Sequence, residues 1–178
     1  VENVMTAAWV CALDFSPAKL TVVLDKGSYT RGLLEQSGLT FCLRSQLASQ
    51  PEKFSCGQVL LVDTVGELMQ FYALSDLVFM GGSLVPTGGH NPLEPAALGK
   101  PLIMGPHVFN FLDITAMMRD AGALREVDDA DGLAEAVRQL FELPQDARKM
   151  AQAGLKVMQG NQGALKRLLD GIDRLINR

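Results

Sequence analysis

The sequence is poor in the residues that most often announce a catalytic or metal centre. It has two histidines, His90 and His107, and three cysteines, Cys11, Cys42 and Cys56, none in CxxC spacing. An odd, unpaired cysteine set excludes a disulfide framework or zinc centre from expectation and points to reduced thiols in a cytosolic setting. No apolar run approaches the roughly 20 residues of a membrane span, and the stretch from Ala7 to Leu13 is short and lacks a basic leader. Neither signal peptide nor anchor is expected, and a chain starting at Val1 reads as a fragment or processed form. Lys and Arg are scattered and the net charge is −4, which argues against nucleic acid as a partner. What the sequence does have is apolar content, 48% of 178 residues, enough to bury a substantial core in one domain.

Short apolar runs alternate with helical patterns along most of the chain. Leu20 to Leu24, Leu39 to Leu43, Val59 to Val62, Leu77 to Met80, Leu102 to Met104 and Ala123 to Val127 read as strands, with Trp9 to Leu13 left unassigned. Between them the pattern predicts a helix ending near Ser37-Gly38 with Leu33, Leu34 and Tyr29 inward, and one bearing Leu68, Phe71, Tyr72 and Leu74 on a single face. Arg44 to Gly57 reads as a polar loop. Further helices follow over Phe109–Ala121 (Phe111, Ile114 and Met118 inward), after Asp128–Asp131, from Pro144, and after a break at Gly160–Gly163 with Leu165, Leu168 and Ile172 inward. This alternation implies βαβ units and a doubly wound parallel sheet.

The stretch from Asp76 to Phe111 is the most constrained. Two strands end in glycine loops, at Gly81-Gly82-Ser83 and at Gly105-Pro106, which marks the carboxyl edge of a parallel sheet, where open α/β folds place ligands. Gly88-Gly89-His90-Asn91-Pro92-Leu93-Glu94 then opens a helix: Asn91 suits the N-cap, Pro92 the first helical position, and Glu94 the third. Glycines let backbone approach a ligand, and the amides of a helix start attract anions, so the pattern predicts a phosphate seat. Asp63, Thr64 and Glu67, at the end of an earlier strand, are either helix caps or part of the same site. His107 and Asn110 are either loop hydrogen-bonders or ligands, and Lys100 reads as a cation at a helix C-terminus.

These motifs carry a resemblance. Gly81-Gly82-Ser83-Leu84, Gly88 through Ala97, and Met104-Gly105-Pro106-His107 with Asn110-Phe111 resemble the C-terminal half of 3-deoxy-D-manno-octulosonic acid (Kdo) transferases. Asp63 to Leu68 and Asn161-Gln162-Gly163-Ala164 are similar to the same family, and the likeness covers roughly 33 to 176. It implies an α/β, Rossmann-like doubly wound parallel sheet, the C-terminal domain of a GT-B glycosyltransferase. Residues 33–178 would be the nucleotide-sugar-binding domain, with 1–32 unassigned. It further implies inverting transfer of Kdo from the donor CMP-Kdo to a lipid A precursor in lipopolysaccharide biosynthesis, at the cytoplasmic face of the bacterial inner membrane. Gly81, Gly82, Ser83, Gly89, His90 and Asn91 would surround the CMP phosphate, and Glu94 would accept hydrogen bonds from the ribose.

No catalytic residue, metal or cofactor is implied in this chain, because the family keeps its base and membrane contact in the N-terminal half. The chain by itself is expected to be soluble and inactive. Where the family has a strand ending in Pro-Arg-His, this sequence reads Leu24-Asp25-Lys26-Gly27-Ser28, leaving Lys26 as a point charge without the arginine fork. Two other readings stay open: a non-catalytic remnant of such an enzyme, and a GT-B-fold sugar-nucleotide epimerase, which would need acid–base residues across two domains.

Overall fold

The computed structural model describes residues 21–24, 28–47, 49 and 59–161. In chain order the elements are β1 (Thr21–Leu24), α1 (Ser28–Ser37), β2 (Phe41–Leu43), α2 (Arg44–Leu47), β3 (Val59–Val62), α3 (Leu68–Leu74) and β4 (Val78–Phe79). Then come α4 (Leu93–Ala97), β5 (Leu102–Met104), α5 (Leu112–Asp120), β6 (Arg125–Glu126), α6 (Ala130–Glu142) and α7 (Pro144–Asn161). Trp9 to Leu13, Cys11, Lys26, Cys56, the Tyr29 side chain and the helix expected from Leu165 lie outside the description.

Among the described residues every strand pairing is parallel. β3 sits between β1 and β2, with Val59 opposite both Thr21 and Phe41. β5 sits between β4 and β6, with Leu102 opposite Val78 and Ile103 opposite Arg125. The sequence predicts one continuous sheet, whereas the ladders form two three-stranded sheets among the described residues. The division falls at β4, which is two residues long and pairs with β5.

Successive residues of β4 and β5 serve opposite faces, as the two-residue strand period requires. Val78, Met80, Leu102 and Met104 join Tyr72, Ala96, Val108 and Met118 in one core. Leu77, Phe79 and Ile103 join Leu133, Ala136, Val137 and Leu140 in the other. Helices α3, α4 and α5 therefore cover one face and α6 the other, while α7 reaches both through Val157 and Met150. This is the doubly wound arrangement, and it explains why these strands read as unbroken apolar runs.

Three local features differ from the sequence reading. Arg44 to Leu47 form a short helix instead of a loop, because the Asp63 carboxylate accepts the Ser45 amide at 2.9 Å and caps the helix from another element. On α3 the buried residue is Tyr72, while Leu68 and Leu74 are 37% and 81% exposed. Two residues along a helix lie roughly 200° apart, so Leu74 points away from Tyr72. Finally, α7 continues through Gly160 to Asn161, past the expected break.

The end of α4 fixes the return to β5. Gly99, at φ 64, donates its amide to Ala96 O at 3.0 Å, and Lys100 donates to Pro95 O at 3.1 Å. This pair of bonds is a Schellman motif, which only a residue comfortable in the left-handed region completes cheaply.

Candidate functional site

The two glycine loops are stitched into one body at the carboxyl ends of β4 and β5. Ser83 Oγ donates to Met80 O at 2.5 Å and accepts from Gly105 N at 2.7 Å. Ser83 O accepts from His107 N at 2.9 Å, and Gly82 O accepts both Gly89 N at 2.9 Å and Thr87 Oγ1 at 2.7 Å. Asn110 closes the far side, its amide on Gly88 O at 3.4 Å and its Nδ2 on Thr87 O at 3.3 Å. A side chain at Gly88, where φ is 95, would meet the Phe109 ring and the Asn110 side chain, so this crossing requires glycine.

This geometry divides the seven residues singled out by the sequence. Gly81, Gly82, Ser83 and Gly89 are buried, and the Ser83 hydroxyl is committed to backbone on both sides. His90, Asn91 and Glu94 are half-buried and form the accessible face. Asn91 Oδ1 accepts from Leu93 N at 3.1 Å and Asn91 Nδ2 lies 3.4 Å from Glu94 Oε1, so the two side chains form one polar edge. The N-cap position falls on Pro92, one residue later than the pattern predicts. Helix α4 is only five residues long, so its macrodipole is small, and in its first turn Leu93 N is given to Asn91 while Pro95 has no N–H, which leaves the Glu94 amide to attract an anion. Beneath it, burial and then the nearby Glu94 charge push the Tyr72 hydroxyl up to about 12. That hydroxyl lies 4.0 Å from Met80 Sδ.

A second polar group lies at the carboxyl ends of β2 and β3. Asp63 receives the amide and hydroxyl of Ser45 at 2.9 and 2.6 Å. Glu67 receives Arg44 Nη2 at 2.7 Å together with the Thr64 hydroxyl. Asp63, Thr64 and Glu67 are thus neither side-chain caps of α3 nor isolated, and the sequence reading missed Arg44 and Ser45 as their partners. The signal available was position alone: both follow directly on β2, at the same edge as Asp63.

Partial burial raises the Asp63 carboxyl, but the Ser45 donors outweigh it and hold the group below its usual range. Glu67 is likewise held low, first by Thr64 and then, against desolvation, by Arg44. Depressed carboxylates contribute stability that is complete above their unfolded values, about pH 4, and is lost as pH falls through the folded ones. Denaturant midpoints of the chain and of Glu67→Gln should therefore differ at pH 6 and converge below about pH 4. A gap independent of pH would contradict the ion pair.

A cleft of about 320 Å³ lies at the opposite edge of the strands. It is lined by Ser75, Asp76, Lys100, Phe141 and Arg148, beside the residues that lead into β4 and β5. Lys100 is a helix C-terminal cation, as read from sequence, but it serves α3: its Nζ donates to Ala73 O at 2.7 Å.

A parallel α/β body with a glycine-lined loop and an accessible helix start at its carboxyl edge is the arrangement in which open α/β folds hold their ligands. The family of glycosyl transferases group 1 matches residues 55–157, and the chain belongs to it. Within that class it corresponds to the C-terminal half of the Kdo transferases. It is 40% identical over 163 residues to the 3-deoxy-D-manno-octulosonic acid transferase of Haemophilus influenzae, spanning 91% of this chain and 36% of that one. It is 35% identical over 140 residues to the enzyme of Bordetella pertussis, 79% of this chain and 32% of that one.

Among solved structures, the C-terminal CMP-Kdo binding domain of WaaA from Acinetobacter baumannii matches with a TM-score of 0.66 and 32% identity, over 74% of this chain and 67% of that one. The chain spans about a third of the length of these curated relatives. A 163-residue match in a 178-residue chain takes in part of the stretch before residue 33, so the likeness reaches further toward the N-terminus than the motifs alone carry it.

Proposed function

We propose that this chain is the donor-binding domain of a Kdo transferase, with residues 33–178 as its nucleotide-sugar unit. It would hold CMP-Kdo while Kdo passes, with inversion, to a lipid A precursor. The observation that supports this reading is the stitched Gly81–Glu94 loop, with its His90, Asn91 and Glu94 face, in a chain that aligns with a domain described as binding CMP-Kdo. In the reaction an acceptor hydroxyl oxygen bonds to the anomeric carbon of Kdo. The bond from that carbon to the phosphate oxygen breaks, CMP leaves with the electron pair, and the hydroxyl proton goes to a general base.

The part of this chain is to hold and discharge the leaving group. His90, Asn91 and the Glu94 amide meet the phosphate as its charge grows, since Leu93 N is given to Asn91 and Pro95 has no N–H, and the Glu94 carboxylate accepts from the ribose. Gly81, Gly82, Ser83 and Gly89 keep that face in place from beneath. The base, the acceptor pocket and the association with the cytoplasmic face of the inner membrane are assigned to the part of the relatives' length that this chain does not span. Among the described residues no helix is long and apolar enough to cross a membrane.

Calorimetric titration of the chain with CMP, followed by incubation with CMP-Kdo and a lipid A precursor, tests this reading. Saturable CMP binding without Kdo transfer is the expected result. A folded chain that takes up no CMP would overturn the reading and leave a non-catalytic remnant.

A further inference from the structure

Helix α4 carries the accessible face of the site, yet it is too short to hold itself in place. Nucleating a helical turn is unfavourable, and among its five residues Pro95 lacks an N–H, so its position comes from what it packs against. That support is α7. Gly154 lies against Ala96: a Cβ added at Gly154 would stand 3.5 Å from Ala96 Cβ, 3.7 Å from its Cα and 3.9 Å from its carbonyl oxygen. The same carbonyl accepts Gly99 N at the end of α4. The next residue of α7 closes that end, with Leu155 Cδ1 3.0 Å from where a Cβ would stand at Gly99. One turn earlier, Met150 Sδ accepts Leu102 N at 3.3 Å, which ties the same helix to the first residue of β5. Ala96 is 1% exposed, while Glu94, roughly 200° around the helix from it, is half-buried. Seating Ala96 on α7 is therefore what turns Glu94 outward.

We infer that Gly154 and Leu155 are positioning residues for the nucleotide site: they set the depth and angle of α4, and so where Asn91 and Glu94 meet a nucleoside monophosphate. This rests on the donor-binding reading above. Both act on the ligand through α4 rather than by contact. Gly154 is buried, so an alanine methyl would fit there at ordinary contact distance, whereas a longer side chain has to push α4 away. Hydrogen bonds weaken steeply with misalignment, so a shift of about 1 Å in α4 reaches the ligand in full. A loosened α4 would also have to be ordered at the moment of binding, at a cost to affinity.

The test is CMP titration of the full 178-residue chain and its variants, each with its melting temperature and with hydrogen exchange by mass spectrometry on peptides covering 91–99. Gly154→Leu should weaken CMP by roughly tenfold or more, while Gly160→Leu, on the same helix with nothing within 4 Å of its Cβ, should not. Gly154→Ala should melt higher, since alanine favours a helix interior, and keep most of the affinity. Leu155→Ala should speed exchange at 91–99 without ligand and weaken CMP roughly fivefold, with Leu155→Met, which conserves volume, recovering most of the loss. If Gly154→Leu does not fold, the Leu155 pair decides. Folded Gly154→Leu and Leu155→Ala chains that bind as the parent does, or an equal loss of CMP in Gly160→Leu, would overturn the inference while the donor-binding reading stands. A folded parent chain that binds no CMP would overturn both.

Discussion

Alanine at Gly105 is expected to lower the unfolding free energy by about 3 kcal/mol and to abolish nucleotide binding. The position is not one of positive φ, so the cost is steric. A Cβ there would overlap the Ser83 carbonyl oxygen, lying 2.5 Å from Ser83 C and 2.6 Å from Leu84 N. All three atoms belong to backbone and cannot rotate aside. The Gly81 loop would have to lift off β5, breaking the Ser83 Oγ bond from Gly105 N and the Ser83 O bond from His107 N, and carrying Gly82 away from Gly89. For a chain of this size the loss corresponds to a melting temperature lower by roughly 6–12 °C.

Gly122→Ala is the control: at φ 68 with nothing within 4 Å, it should cost only about 1 kcal/mol and leave CMP binding unchanged. Ser83→Ala falls between, at about 2 kcal/mol, since it leaves a buried Gly105 amide without its acceptor. Equal melting temperatures for Gly105→Ala and the parent would show that the loops yield and are not a fixed frame.

How far the sequence discloses this protein depends on whether a feature is local. The strands after Gly38 and the glycine loops at 81–82, 88–89 and 105 are legible because apolar runs and the glycines that end them act within a few positions. The family resemblance rests on those same loops. What is not legible is set by contacts across long separations. Ser83 reads as a phosphate-loop serine, yet its hydroxyl joins strands 22 residues apart. Arg44 reads as the start of a polar loop, and only the 23-residue return of Glu67 gives it a partner. The face of α3 is misread because a helix of seven residues offers too few turns for its apolar pattern to decide which side is inside.

The accessible polar edge itself gives the other large effect. Removing both side chains in Asn91→Ala/Glu94→Ala should weaken CMP at least 100-fold while changing unfolding by only about 1 kcal/mol. Hydrogen bonds to charged groups contribute about 1.5–3 kcal/mol each, so two such losses span two to four powers of ten in affinity. The single substitutions should not sum to the double, because Asn91 Nδ2 and Glu94 Oε1 already touch at 3.4 Å.

The sharper form of this test is Asn91→Asp, which separates folding from binding at one atom. An aspartate carboxylate can still accept from Leu93 N, but it would stand against Glu94 Oε1, which the Asn91 amide now meets at 3.4 Å, so stability should fall by a few tenths of a kcal/mol to about 1 kcal/mol. The same charge would face the donor phosphate and lose the amide donor, so CMP affinity should fall below that of Asn91→Ala by roughly a further tenfold. A loss of affinity far larger than the loss of stability would mean that the side chain bonded to Leu93 N is also the one that meets the phosphate. If both properties instead followed the cap alone, the phosphate would have to be held elsewhere on the carboxyl edge, and His90 would be the next residue to change.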